Sequence, residues 1–267
     1  MRILTILALP FILAFASCDS STRKEQTERV LFVGNSLTYV GNTPAIYSAL
    51  TAANGHRVIS DMIVGGGATL SERVADGTVA NALASKKYTA LVLQERGGDL
   101  MCSFGPESCI ESRAAIKALA SLAKKQGIRV VLLGSYQTHP GASQALVEME
   151  SAAAKEAEIP YTDLSGMLHQ LRSVAPELTW FATDGMHPGK DLALLSAILV
   201  YQSLHSSLPE PKPLTVTAPI YGSNSGLTAV LRQADAPPPL PNTPTEVRYL
   251  SDTIKKLVSA VSNKGSS

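Results

Sequence analysis

Val30-Leu31-Phe32-Val33-Gly34-Asn35-Ser36-Leu37-Thr38 decides the fold class, because four consecutive apolar residues run into a glycine and then into polar residues that can open a helix. A short run that is apolar at every position marks a strand buried on both faces, and such strands belong to parallel sheets covered by helices. The alternation continues downstream. Pro44 to Asn54 reads as a helix closed by Gly55, Arg57 to Val64 as a strand, Leu70 to Ser85 as a helix and Ala90 to Leu93 as a strand. Glu111 to Lys125 reads as a helix stopped by Gly127, Arg129 to Leu133 as a strand, Ala142 to Ala157 as an alanine-rich helix and Ile159 to Thr162 as a fifth strand. Lys190 to Ser206 has the spacing of a last core helix. Strands joined by helices of this length imply right-handed crossovers. The expected architecture is α/β: a three-layer α/β/α sandwich on a five-stranded parallel sheet.

Composition fits one domain with an ordinary core. Of 267 residues 45% are hydrophobic, and 23 basic residues against 22 acidic ones leave a net charge of +1. No global field draws the chain to nucleic acid or to an anionic membrane. Any ligand is recognised by a local site, and nothing in the sequence speaks to oligomeric state.

The ends differ from the middle. Arg2, an apolar run from Ile3 to Phe15, and then Ala16-Ser17-Cys18 read as an export signal, too short to span a bilayer. The ending resembles the lipobox of bacterial lipoproteins, with Phe15 where Leu is usual. That implies a cell-envelope protein whose only membrane attachment is a lipid on Cys18; a plain signal peptide with an incidental cysteine is the alternative. Residues 19–29 are polar and read as a tether, so the folded domain is expected over 30–206. Residues 207–245 hold most of the prolines and read as an extended wrap or linker, and 246–267 as a terminal helix and tail, with Glu246 to Val261 helical. Cys102 and Cys109 are either bridged in an oxidising compartment or two separate thiols. No His or further Cys stands near them to complete a metal site.

The chemistry is carried by two segments. Ser36 stands at a strand's carboxyl end, the edge of an open α/β sheet where ligands bind. Thr183-Asp184-Gly185-Met186-His187-Pro188-Gly189 lies just before the last helix. A serine hydroxyl becomes a nucleophile when an imidazole takes its proton and a carboxylate holds that imidazole's tautomer. Asp184 and His187, three residues apart in one turn, supply both.

Together the two segments resemble the SGNH/GDSL hydrolase family. Gly34-Asn35-Ser36-Leu37-Thr38 is similar to its nucleophile block, with Asn35 in place of the usual Asp, and Asp184 to Pro188 is similar to its closing Asp-x-x-His block. The resemblance covers roughly residues 30–206. It implies a flavodoxin-like sheet and a Ser36–His187–Asp184 triad that needs neither metal nor organic cofactor. It also implies an oxyanion hole formed by the N–H of Ser36, the N–H of Gly67 (Gly66 next) in the Gly65-Gly66-Gly67-Ala68-Thr69 turn, and a third donor after the third strand. There the family shows Gly-x-Asn-Asp and this chain reads Gln94-Glu95-Arg96-Gly97-Gly98-Asp99. Gln94 carries the matching amide; Asp99 aligns nearly as well, but its charge would repel an oxyanion.

The expected activity is ester hydrolysis through an acyl-enzyme, on a small-molecule or glycan ester and foremost on O-acetyl or short acyl esters of a carbohydrate or envelope component. An acyltransferase using the same triad and a catalytically silent carbohydrate-binding module are the alternatives. Tyr136, Gln137 and His139 are placed either in the substrate pocket or in a solvated loop, and Gly97 to Cys109 is long enough to cover the cleft. His56, His169 and His205 read as ordinary surface residues.

Overall fold

The computed structural model describes residues 27–264. The export signal, Cys18 and most of the tether lie outside the described residues. The chain runs β1 (Glu28–Gly34), α1 (Ser36–Tyr39), α2 (Thr43–Ala53), β2 (Val58–Val64), α3 (Leu70–Ala75), α4 (Thr78–Ser85), β3 (Ala90–Leu93) and α5 (Pro106–Lys124). It continues through β4 (Arg129–Leu133), α6 (Pro140–Glu156), β5 (Tyr161–Thr162), α7 (Leu164–Val174) and α8 (Lys190–His205). Last come β6 (Leu214–Thr217), β7 (Arg232–Gln233), β8 (Glu246–Tyr249) and α9 (Ser251–Lys264).

The main sheet has the order β5-β4-β3-β1-β2-β7. Its first five strands pair in parallel, as the apolar runs predict, while β7 adds a sixth, antiparallel strand that pairs Gln233 with Asp61 and Arg232 with Met62. Alternate residues of β1 feed opposite layers. Val30 and Phe32 join Ile46, Leu50, Leu168, Leu195 and Ile198 from α2, α7 and α8. Leu31 and Val33 join Leu70, Val79, Ile116 and Leu119 from α3, α4 and α5. Both faces are thus dry, and each fully buried Leu, Ile or Phe contributes roughly 1.5–3 kcal/mol. One charge is sunk into the sheet: Asp61, with no exposed surface, accepts from Arg29 (2.8 Å), Lys86 (3.0 Å) and Tyr88 (2.7 Å).

Four expectations change. The helix read over Leu70 to Ser85 is two helices, broken where Gly77 takes φ +68°. Residues 164–174, not assigned to an element from sequence, form α7. The terminal helix begins at Ser251 rather than Glu246, because Glu246–Tyr249 pairs with Leu214–Thr217 in a separate two-stranded sheet. The proline-rich region supplies β6 and β7 and packs onto the core through Leu214, Val216, Tyr221 and Leu227. Cys102 and Cys109 are joined by a disulfide.

Candidate active site

The strand order reverses beside β1, with β2 on one side and β3 on the other, so the loops after β1 and β3 diverge over a crevice at the sheet's carboxyl edge. The first loop carries Ser36. Asn35 caps α1, its Oδ1 accepting from Leu37 N (3.0 Å), while its Nδ2 donates to the Gln94 carbonyl (3.4 Å). Position 34 admits only glycine, because a Cβ there would stand 2.2 Å from Thr38 Oγ1 and 3.0 Å from the Gln94 carbonyl. Ser36 follows, half-buried, at the first position of the helix.

The turn before α8 carries the base. Asp184 Oδ1 accepts from the N–H groups of Met186 (3.0 Å) and His187 (2.9 Å), and its Oδ2 accepts from His187 Nδ1 (2.8 Å). The two backbone bonds, His187 first, hold the Asp184 carboxyl well below the usual carboxylate range, and the imidazole adds to this. With the Nδ1 proton committed to Asp184, the ring presents Nε2 as its basic nitrogen. Tyr136, whose own titration is pushed up by burial and then by the Asp184 charge, braces the turn by donating from its hydroxyl to the Met186 carbonyl (2.7 Å).

Ser36 and His187 line one cavity of about 570 Å³, together with Asn35, Leu37, Tyr136 and Met186. Arg96, Gly97, Gly98, Met101, Phe104 and Gln137 complete much of its wall. Among the described residues, no hydrogen bond joins the Ser36 hydroxyl to another group of the chain.

Gln94 does not serve as sequence reasoning expects. It is buried and outside the residues that line the cavity; its Oε1 accepts from Thr38 Oγ1 (2.6 Å) and its Nε2 donates one hydrogen to the Gly134 carbonyl (3.1 Å), which ties both ends of the amide to the sheet edge. Gly67 occupies the third position of a turn closed by Ala68 N to Gly65 O (3.2 Å), where its φ of +66° suits glycine. It lies outside the residues lining the cavity; its carbonyl accepts from Arg96 Nη1 (3.4 Å). Asp99 is taken up by Arg96 in a bidentate pair (2.7 and 2.8 Å).

Sequence reasoning missed the backbone of Gly97 and Gly98. Both line the cavity, and among the described residues neither N–H has an acceptor within the chain. The doubled glycine after the third strand was the available signal. A Cβ on Gly97 would stand 3.1 Å from the Tyr136 carbonyl. Of the other candidates, Gln137 lines the cavity and its Nε2 donates to the Gly97 carbonyl, while His139 is exposed and heads α6. His169 supports Gln137 by donating from Nε2 to its carbonyl (2.8 Å). His205 is not a plain surface residue: it stacks on His56 and Tyr47, and burial lowers its pKa. Among the described residues no three His, Cys, Asp or Glu side chains are grouped to hold a metal ion.

The same architecture recurs in solved structures. A protein assigned as an SGNH hydrolase from Slackia heliotrinireducens superposes with a TM-score of 0.54 at 22% identity, over 67% of this chain and 100% of that one. The chain has the SGNH-hydrolase fold. Two further solved structures share the architecture: TesA, with a TM-score of 0.55 at 19% identity over 67% of this chain and 99% of its own, and a variant of Axe2, an acetylxylan esterase from Geobacillus stearothermophilus. The latter gives a TM-score of 0.53 at 14% identity over 67% and 96% of the two chains. No protein-family model and no curated protein matches the chain.

Proposed function

We propose that this SGNH-fold chain is a serine hydrolase of carboxylic esters that works through an acyl-enzyme on Ser36. The observation that carries the reading is one cavity lined by both Ser36 and an imidazole whose Nδ1 is bonded to Asp184. Substrate entering the cavity brings the ester carbonyl between the hydroxyl and Nε2. His187 takes the Ser36 proton as the oxygen attacks, and Asp184, ionised because backbone N–H groups already hold it so, stabilises the imidazolium. The N–H of Ser36 and those of Gly97 and Gly98 are the donors offered to the tetrahedral oxyanion, each worth on the order of 3 kcal/mol in such a site. His187 returns the proton to the departing alcohol; water then repeats the sequence and frees the acid.

The substrate class we assign is a short acyl ester, foremost the O-acetyl ester of a carbohydrate. Two things support this: the mixed wall of the cavity, with Leu37, Met101, Phe104 and Met186 beside Arg96, Gln137 and Thr138, and the likeness to an acetylxylan esterase. Hydrolysis of p-nitrophenyl acetate by the native chain, reduced at least about 10³-fold in Ser36→Ala, is the expected result. Equal rates for the two proteins would end the reading.

A further inference from the structure

The carboxylate of Glu95 takes no part in the acyl-transfer steps, yet it sits where the loop after β3, which lines the cavity, meets the loop after β2. Glu95 is 1% exposed. Its two oxygens accept from Leu70 N (3.3 Å to each), from Arg96 N (2.9 Å) and from Ser112 Oγ (2.8 Å). Leu70 opens α3 directly after the Gly65–Thr69 turn, Arg96 immediately precedes Gly97 and Gly98, and Ser112 lies on α5. One side chain therefore joins the loop after β2, the loop after β3 and the helix that follows. Arg96 crosses the same junction from above, reaching the Gly67 carbonyl while Asp99 locks its guanidinium.

Burying a carboxylate is costly unless its acceptors are filled, and here they are filled by backbone N–H groups of both loops. The bonds hold only while the loops stay in register. We propose that Glu95 is a positioning residue for the hydrolytic site: by binding the Leu70 and Arg96 N–H groups it fixes the loop after β2 against the Gly97–Gly98 segment and sets the distance of those glycine N–H groups from Ser36. This inference rests on the ester-hydrolase reading. It also specifies which substitutions matter. Glutamine at this position keeps one oxygen for the two N–H groups and offers its amide to Ser112 Oγ, whereas aspartate is too short to span Leu70 and Arg96, and alanine removes every bond.

The test compares native full-length chain, Glu95→Gln, Glu95→Asp, Glu95→Ala and Ser36→Ala on p-nitrophenyl acetate, with near-ultraviolet circular dichroism to establish folding. Expected are a kcat for Glu95→Gln within about threefold of native, and for Glu95→Asp and Glu95→Ala a fall in kcat on the order of 100-fold with KM within about threefold. Where Glu95→Ala does not fold, Glu95→Asp decides. A folded Asp or Ala variant with native kcat, a loss confined to KM, or a glutamine variant as slow as alanine would overturn the proposal. Native protein no faster than Ser36→Ala would instead overturn the hydrolase reading, and this inference with it.

Discussion

Asp184 does two jobs with one carboxylate. Its Oδ1 closes the turn through two backbone N–H groups and its Oδ2 orients the imidazole. Replacing it with asparagine keeps the size and one acceptor, so the turn survives, but the amide can present N–H to Nδ1 and select the wrong tautomer. Asp184→Asn is expected to lower kcat roughly 10³-fold while KM stays near native, read from initial rates on p-nitrophenyl acetate. Among single residues, Ser36, Asp184 and His187 were singled out by two segments of sequence read together, and the structure puts Ser36 and His187 on one cavity with Asp184 bonded to the imidazole. The fate of Gln94 could not be read that way. An amide after a strand looks like a donor, and only tertiary structure reveals that Thr38 of α1 and Gly134 after β4 already hold its two ends. Gly97 and Gly98 escaped notice for the complementary reason: their usable group is backbone, which every residue carries.

At the scale of elements, the loop from Gly97 to Gly105 supplies Gly97, Gly98, Met101, Ser103 and Phe104 to the cavity wall, and the Cys102–Cys109 bridge pins it to the first turn of α5. Arg96 lies over the Phe104 ring at 3.9 Å, which ties the loop's far side to its root. Closing so small a ring contributes about 2 kcal/mol. The double variant Cys102→Ser/Cys109→Ser is expected to lose about that much in urea unfolding and to raise KM severalfold, with Ser36 chemistry, and so kcat, close to native. Buried parallel strands were the most legible elements, since a run such as Leu91-Val92-Leu93 is short, β-branched at its centre and set between polar stretches, whereas the apolar run in α8 belongs to a much longer periodic segment. α7 carried a readable signal in Leu164, Met167, Leu168 and Leu171, spaced for one helical face. β8 carried only a short one. Glu-Val-Arg-Tyr alternates polar and apolar at the period of a strand, but over four residues, and the helical spacing of Leu250, Ile254, Leu257 and Val261 just downstream drew it into the helix until the opposing Leu214–Thr217 strand showed it extended.

Across the whole molecule, two buried carboxylates set a pH dependence. Burial raises Glu95 and Glu150 from 4.5 to about 7, and Glu150 sits under the Ser135–Tyr136 loop, accepting from Ser135 N (2.8 Å) and Tyr161 Oη (2.9 Å). Between those values the folded chain holds protons that the unfolded chain has released. Their contribution to stability is therefore complete below pH 4.5 and is lost as pH rises through about 7. Asp184 acts oppositely, its contribution being present above 3.8 and lost as pH falls through its lowered value. The melting temperature is expected to be a few degrees higher at about pH 6 than at about pH 8, with the difference reduced in Glu150→Gln.

The outermost strand of the main sheet has a further consequence. Arg232 and Gln233 pair with Met62 and Asp61 at the middle of β2's free margin from a point some 170 residues further along the chain, and Asn42, donating to the Pro219 (2.7 Å) and Ala234 (2.8 Å) carbonyls, fastens the segment there. A growing polypeptide exposes that margin for most of its synthesis, because the piece that covers it leaves the ribosome late. During that interval the uncovered backbone of Val58–Val64 is open to pairing with another nascent copy. Crowded overproduction would then favour entangled multimers over the correctly closed sandwich, and slower translation upstream of residue 232 would lengthen the hazard.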